Sequence, residues 1–113
     1  MRMWMTDPRI MCRNHLLGEH NEIHKHRHNF VKGHSVAGRI AGGQIEPMAM
    51  QSRHDELVQE MTRRGYNHKS PYEQPDLSHY DDSVVNATVN RKASLHLLLS
   101  RCAHCNYRAE ALE

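Results

Sequence analysis

The chain has 113 residues and a mass of 13.2 kDa, which is enough to bury one modest hydrophobic core. Its hydrophobic content of 38% exceeds that of disordered chains, whereas its aromatic content of 5% is low for a large β-sandwich. The longest apolar run is Leu97–Leu99, so no segment can span a bilayer, and no signal-peptide core is present. We therefore expect one soluble domain over residues 1–113.

The charge balance permits nucleic-acid binding without requiring it. Fifteen Lys and Arg residues face 13 Asp and Glu residues, which gives a formal charge of +2. Eleven of the basic residues are Arg, which suits bidentate phosphate contacts, and the 11 His residues would add charge as the pH falls towards 6. Three Cys residues are an odd number, which argues against a disulfide framework.

The first predicted element is a long helix over residues 8–32. Asp7 is a suitable N-cap, and Pro8 occupies the first helical position, where a missing N–H costs nothing. Gly33 is a suitable C-terminal stop. Apolar residues recur at roughly helical spacing, at Ile10, Met11, Leu16, Leu17, Ile23, Phe30 and Val31.

A connector and a second helix follow. Residues 33–51 contain four Gly residues and Pro47, which predicts a connector with a short turn around residues 36–41. Ser52 has Asp55 three residues later, a weak capping pattern. The apolar stripe that comes next predicts a helix over residues 53–64 that ends before a glycine.

The last predicted helix covers residues 91–109, with Asn90 as its cap. Residues 66–89 contain prolines and polar residues without a period, so we expect an irregular loop there. The predicted fold is all-α, a compact domain of three main helices with long irregular connections.

One face of the first predicted helix carries both basic and acidic groups. His15, Glu19, Glu22 and His26 are spaced four, three and four residues apart, so they line one side of the helix, with Lys25 beside them. The simpler interpretation is a solvated face with ion pairs within the helix. The functional interpretation is a carboxylate flanked by basic groups, which suits acid–base chemistry or stabilisation of a cationic intermediate.

Two groups of potential metal ligands stand out. His20 and His24 are one helical turn apart, as are His24 and His28, and this spacing can chelate a metal. His26 alternates with them and therefore points elsewhere. Without a His-Glu-x-x-His motif or a nearby cysteine, we interpret these histidines as incidental.

Cys102-Ala-His-Cys105 can be half of a zinc site or a redox pair. Cys12 is the other thiol in the chain, and no second Cys-x-x-Cys exists. The pair also falls inside a helical pattern and not at its start. We therefore interpret these residues as free thiols on a partly buried helix, with metal binding as the alternative.

Three blocks, in chain order, resemble the pyrimidine-dimer DNA glycosylase/AP-lyase family typified by endonuclease V of T-even phages. His15-Leu16-Leu17-Gly18-Glu19-His20-Asn21-Glu22 resembles the family's first-helix signature. Glu56–Asn67 resembles its second helix, including the Arg-Gly-aromatic-Asn ending, and Ala93–Arg101 resembles the start of its last helix. The resemblance implies DNA repair of damaged pyrimidines such as cyclobutane dimers.

The resemblance also implies a mechanism without a cofactor or a metal. The family's nucleophile is the N-terminal α-amine, which attacks the sugar of the damaged nucleotide and forms a Schiff base before β-elimination. Met1 falls on that position, and the bulky Arg2 would prevent removal of the initiator methionine. The family's catalytic glutamate falls on Glu22.

Further residues match the family's DNA-binding positions. His15 matches a histidine near the abasic sugar, and Arg2, Lys25, Lys32 and Arg101 match basic residues that hold the DNA backbone. The implied partner is double-stranded DNA with a damaged base or an abasic site. The implied protein is a monomer without membrane contact, in the cytoplasm of a bacterial or phage-infected cell.

The chain departs from the family at two of these positions. Asn21 replaces an arginine that helps to bind DNA, and Cys105 replaces a lysine. Two alternatives therefore stay open from the sequence. One is a helical DNA-binding protein without catalytic activity, and the other is a small metal-binding module that uses the His-rich segment with Cys102 and Cys105.

Overall fold

The computed structural model describes residues 2–68 and 71–112, and every regular element in this part of the chain is helical. The α-helices are α1 (Arg13–Lys32), α2 (Ala37–Ala41), α3 (Met50–Arg63), α4 (Asp82–Val85), α5 (Arg91–Arg101) and α6 (Ala103–Ala111). Short 3-10 helices, Pro8–Ile10 and Pro47–Ala49, precede α1 and α3. The all-α prediction is confirmed. None of these helices is long and apolar enough to cross a membrane.

The first predicted helix is interrupted near its start. Asp7 acts as a cap, since its carboxylate accepts from the Arg9 N–H at 3.0 Å, but the element that it caps is a 3-10 helix. The extended backbone of Cys12 then separates this turn from α1. Gly33 ends α1 as predicted, because its φ of 71° turns the chain out of the helix.

The second predicted helix begins earlier than the sequence pattern indicates. The 3-10 turn of Pro47–Ala49 leads directly into α3, so Ser52 lies inside the first turn. Its hydroxyl donates to the Ala49 carbonyl at 3.1 Å and does not cap the helix. Gly65 follows the end of α3 with a φ of 83°.

The last predicted helix is two helices. Asn90 caps α5 as expected, since its side-chain oxygen accepts from the Ala93 N–H at 3.0 Å. At Cys102 the backbone becomes extended, with φ −125° and ψ 107°, and a new helix begins. The side chain of Cys102 caps α6 by accepting from the Cys105 N–H. The loop predicted over residues 66–89 is irregular apart from α4 in the part that the structure describes.

The core forms where α1 packs against α3 and where α6 packs against the turn at Pro8–Ile10. The core side chains with no solvent exposure are Met3, Met11, Leu16, Ile23, Ile45, Met50, Leu57, Leu98 and Cys105. Burial of such side chains is the main force that holds the helices together.

The chain start is anchored in this core by residues far along the sequence. The Met3 N–H donates to the Gln44 carbonyl at 2.7 Å, and the Ser94 hydroxyl donates to the Trp4 carbonyl at 2.5 Å. With the Met3 side chain fully buried, residues 2–4 are held between the connector after α2 and the start of α5.

Candidate active site

The polar face of α1 is largely buried, so its interpretation as a solvated face is wrong. Glu19 is 1% exposed and His26 is fully buried, while His15 and Glu22 are half-buried. Burial lowers the pKa of His26 to about 4, so the imidazole is neutral at pH 7. This face of α1 is thus part of the interior, where charges need specific partners.

Glu19 has such a partner in α3. Arg53 donates to its two carboxylate oxygens at 2.6 and 2.8 Å, and both side chains are almost completely buried. Arg53 also donates to the Thr6 carbonyl at 2.6 Å and to Glu56. Although burial alone would lower the pKa of Arg53, the two carboxylates hold it above its ordinary value. Through these contacts, Arg53 fixes α3 to α1 and to the segment that precedes α1.

In the part of the chain that the structure describes, one carboxylate oxygen of Glu22 has no partner. Its Oε1 lies 3.7 Å from the Nζ of Lys25, a long and partly solvated ion pair. Its Oε2 is buried and has no hydrogen-bond partner among residues 2–68 and 71–112. Since buried carboxylate oxygens are normally satisfied, this atom is available to a cation or donor from a bound molecule.

Arg2 and His15 are brought together around Trp4. The Arg2 guanidinium lies 4.6 Å from the centre of the Trp4 ring, which meets the His15 ring edge-on at 5.7 Å. Burial, followed by the charge of Arg101, lowers the pKa of Arg2. The predicted nucleophile, Met1, lies outside the described residues.

The two predicted lysine contacts lie farther along α1. Lys25 and Lys32 are exposed and are separated by seven residues, which places them on the same side of the helix about 10 Å apart. Lys32 is in the last turn of α1. It is ten positions beyond Glu22, or about 15 Å along the helix axis.

An open cleft of about 430 Å³ lies beside Arg2. It is bounded on one side by the turn of Gly42 and Gly43 and on the other by the beginning of α5, including Asn90 and Ser94. Its volume is in the range of small-molecule binding sites.

The structure assembles a histidine cluster that the sequence analysis did not predict. His20 and His24 on α1 meet His54 on α3 and His68 beyond it, with one potential ligand atom of each within 4.8 Å of the others. Burial, followed by the neighbouring His24, lowers the pKa of His20 to about 4. Burial also lowers the pKa of His24 and His68. The spacing of His20 and His24 was the only sequence signal for this cluster.

A second cluster contains all three thiols. Cys12 and His15 at the start of α1 meet Cys102 and Cys105 at the start of α6, again with ligand atoms within 4.8 Å of one another. The cysteines are not paired in disulfides. Burial raises the pKa of Cys105 to about 12, so its thiolate form requires a nearby cation. In the sequence, Cys12 and His15 have the same three-residue spacing as Cys102 and Cys105. This shared spacing is the signal that could have linked the two pairs.

Comparison with known proteins gives one match. A family model described as pyrimidine dimer DNA glycosylase matches residues 1–74. The matched part includes α1 and α3 and therefore two of the three resembling blocks, whereas the third block, Ala93–Arg101, lies beyond it. Neither the curated proteins nor the solved structures include a match to the chain.

Proposed function

Because the chain belongs to the pyrimidine dimer DNA glycosylase family, we propose that it also cleaves the DNA strand at the site of the excised base. The complete activity is then a bifunctional glycosylase and AP lyase that acts on double-stranded DNA with a damaged pyrimidine. No metal or cofactor takes part in the proposed steps.

The proposed nucleophile is the α-amine of Met1. The ordinary pKa of an α-amine is about 7.7–8.0, so a useful fraction is unprotonated at neutral pH, unlike a lysine amine. Its lone pair attacks C1′ of the damaged nucleotide, and the base leaves with the electrons of the glycosidic bond and takes up a proton. The attached nitrogen then loses a proton, its electron pair forms a C1′=N bond, and the C1′–O4′ bond breaks as O4′ takes up a proton. The resulting ring-opened iminium ion makes a C2′ proton acidic. Loss of that proton breaks the C3′–O bond and releases the 3′ side of the strand.

Glu22 is the proposed catalytic carboxylate. The observation that carries the proposal is its buried Oε2, which has no hydrogen-bond partner within residues 2–68 and 71–112. An anionic oxygen without a protein donor stabilises the positive charge that develops at the sugar and the imine. The same oxygen can move the proton in the elimination step. The Nζ atom of Lys25 lies 3.7 Å from the other oxygen, Oε1.

The four basic residues Arg2, Lys25, Lys32 and Arg101 are proposed to hold DNA phosphates. The Nδ1 atom of His15 lies 3.2 Å from the Sγ of Cys12 and 3.6 Å from the Sγ of Cys105. The Nε2 atom of His15 is therefore the one proposed to contact DNA. The cleft beside Arg2 is proposed to receive a nucleotide that flips out of the duplex.

The variant Glu22→Gln tests the proposal because it keeps the shape of the side chain and removes its charge. The assay follows nicking of a duplex with one abasic site, and base release from a duplex with one thymine dimer. We expect strand cleavage to fall by about 10²–10⁴-fold with unchanged thermal stability and DNA affinity. Glu110→Gln, an exposed glutamate on α6, is the matched control and should cleave normally. Cleavage at the wild-type rate by Glu22→Gln would overturn the assignment, and base release without strand cleavage by the wild-type protein would overturn the lyase activity.

A further inference from the structure

The cluster of three cysteines and one histidine joins parts of the chain that are about 90 residues apart. Cys12 precedes the first turn of α1, and His15 lies within that turn. Cys102 separates α5 from α6, and Cys105 lies in the first turn of α6. Each pair therefore presents two side chains, three positions apart, from the beginning of a helix. The two beginnings adjoin each other, with their potential ligand atoms within 4.8 Å.

Three distances within the cluster are close to those of a tetrahedral zinc site. A tetrahedron with Zn–S bonds of about 2.3 Å and a Zn–N bond of about 2.0 Å has S–S edges of about 3.8 Å and S–N edges of about 3.5 Å. The Sγ atoms of Cys12 and Cys102 are 3.8 Å apart. The Nδ1 atom of His15 lies 3.2 Å from the Sγ of Cys12 and 3.6 Å from that of Cys105. A disulfide would require about 2.05 Å between two sulfurs.

Backbone donors around the sulfurs suit thiolate ligands. The Cys12 N–H donates to the Sγ of Cys105 at 3.2 Å, and the Cys105 N–H donates to the Sγ of Cys102 at 3.4 Å. Such hydrogen bonds orient ligands and disperse the negative charge of thiolates around a metal. Cys102 and Cys105 are buried, so water would contribute little to the stability of their charged forms.

We propose that Cys12, His15, Cys102 and Cys105 bind one structural zinc ion. All four positions of the tetrahedron are then filled by the protein, which is typical of a structural site and leaves no place for a substrate. The ion would fasten α6 to the beginning of α1. The ion would also hold His15 beside Trp4 and Arg2. The centres of the His15 and Trp4 rings are 5.7 Å apart.

Replacement of zinc by Co²⁺ tests this site, because thiolate ligands give Co²⁺ intense charge-transfer and tetrahedral d–d absorption. The purified, reduced full-length protein should show these bands at one equivalent of Co²⁺ and lose them when zinc is added. Cys102→Ser should abolish or strongly weaken them. His104→Ala changes an exposed histidine that lies between Cys102 and Cys105 in the sequence, and this variant should keep the absorption bands.

The wild-type spectrum decides the question even if Cys102→Ser does not fold. A wild-type protein without thiolate-to-cobalt bands would overturn the proposal. A second result would also overturn the proposal. Protein prepared without a reductant would contain a disulfide between Cys12 and Cys102, detected by mass spectrometry, and no bound zinc.

The histidine cluster carries a second proposal on different atoms. The Nε2 atoms of His24 and His54 are buried and have no hydrogen-bond partner in the described part of the chain. The Nε2 atoms of His20 and His68 lie 2.9 Å apart. The Nδ1 atom of His54 lies 3.1 Å from a carboxylate oxygen of Asp55, an arrangement that orients metal-bound histidines in many proteins.

We also propose that His20, His24, His54 and His68 bind a divalent transition-metal ion, for which zinc is the probe. Four neutral imidazoles suit first-row ions such as zinc, nickel and copper, and do not suit Mg²⁺ or Ca²⁺. His20 and His24 are each two residues from Glu22, so they lie on the opposite side of α1 from it. This ion is therefore separate from the proposed strand cleavage.

Metal content tests the second site independently of the first. With both sites filled, the wild-type protein should hold two zinc ions per chain after equilibration with zinc and removal of the excess. His54→Gln should hold one and should keep the thiolate-to-cobalt bands. His28→Gln, an exposed histidine one turn beyond His24, should still hold two. A wild-type stoichiometry of one, together with those bands, would overturn the second proposal, as would two ions in His54→Gln.

Discussion

Removal of the negative charge from Glu19 should destabilise the protein severely. Glu19→Gln keeps the volume of the side chain, but it leaves the Arg53 guanidinium buried without its main counter-charge. In the structure Arg53 donates to both oxygens of Glu19, at 2.6 and 2.8 Å, and the two side chains are at most 1% exposed. Removal of one partner from such a buried pair costs about 3–5 kcal/mol.

Glu56→Gln is the matched control, because Glu56 also accepts a hydrogen bond from Arg53 but its side chain is 53% exposed. We expect a cost of at most about 1 kcal/mol for this change. Urea unfolding, followed by circular dichroism, measures both free energies. Equal costs for the two variants would refute the reasoning. The double variant Glu19→Leu with Arg53→Met should recover most of the lost stability, since apolar residues can replace a buried ion pair.

Three other predictions concern pH, salt and helix capping. Hydrogen bonds from Arg63, followed by those from Arg64, hold the pKa of Glu60 below its unfolded value of 4.5. The contribution of these bonds to the free energy of unfolding is therefore fully present above pH 4.5, and it is lost as the pH falls through the lower pKa of the folded state. Glu60→Gln should therefore cost about 2 kcal/mol at pH 7 and progressively less below about pH 4.5, measured by urea unfolding at each pH. Lys32→Ala should reduce the slope of log DNA affinity against log salt by about 1, from about 4 for the four proposed contacts, measured by fluorescence anisotropy. Asn90→Ala removes the α5 cap and should cost about 1 kcal/mol in thermal unfolding, whereas Asn90→Ser should cost little.

The local features of the fold were predictable because they depend on neighbouring residues. Asn90 caps a helix through a bond to the residue three positions later, and Gly33 ends one through its own backbone. Asp7 also acts as a cap, although the turn after it is a 3-10 helix. The break at Cys102 was not predictable, since the residues on both sides of it are ordinary helix formers.

The arrangement of side chains depends on contacts that the sequence pattern does not contain. The face of Glu19 and His26 looks solvated when α1 is considered alone, but Arg53 from α3 and the rest of the core cover it. Likewise, Cys12 is isolated in the sequence because its partners follow about 90 residues later. The resemblance identified the family whose model matches residues 1–74, whereas both clusters required the tertiary structure.

Covalent trapping tests the central claim most directly. Incubation of the protein with an abasic duplex and borohydride should reduce the proposed imine to a stable amine that links protein and DNA. Proteolysis and mass spectrometry should then locate the sugar remnant on the α-amine of Met1. Blocking that amine by an uncleaved N-terminal extension should abolish trapping. An adduct on a lysine side chain, or undiminished trapping in the extended protein, would contradict the account.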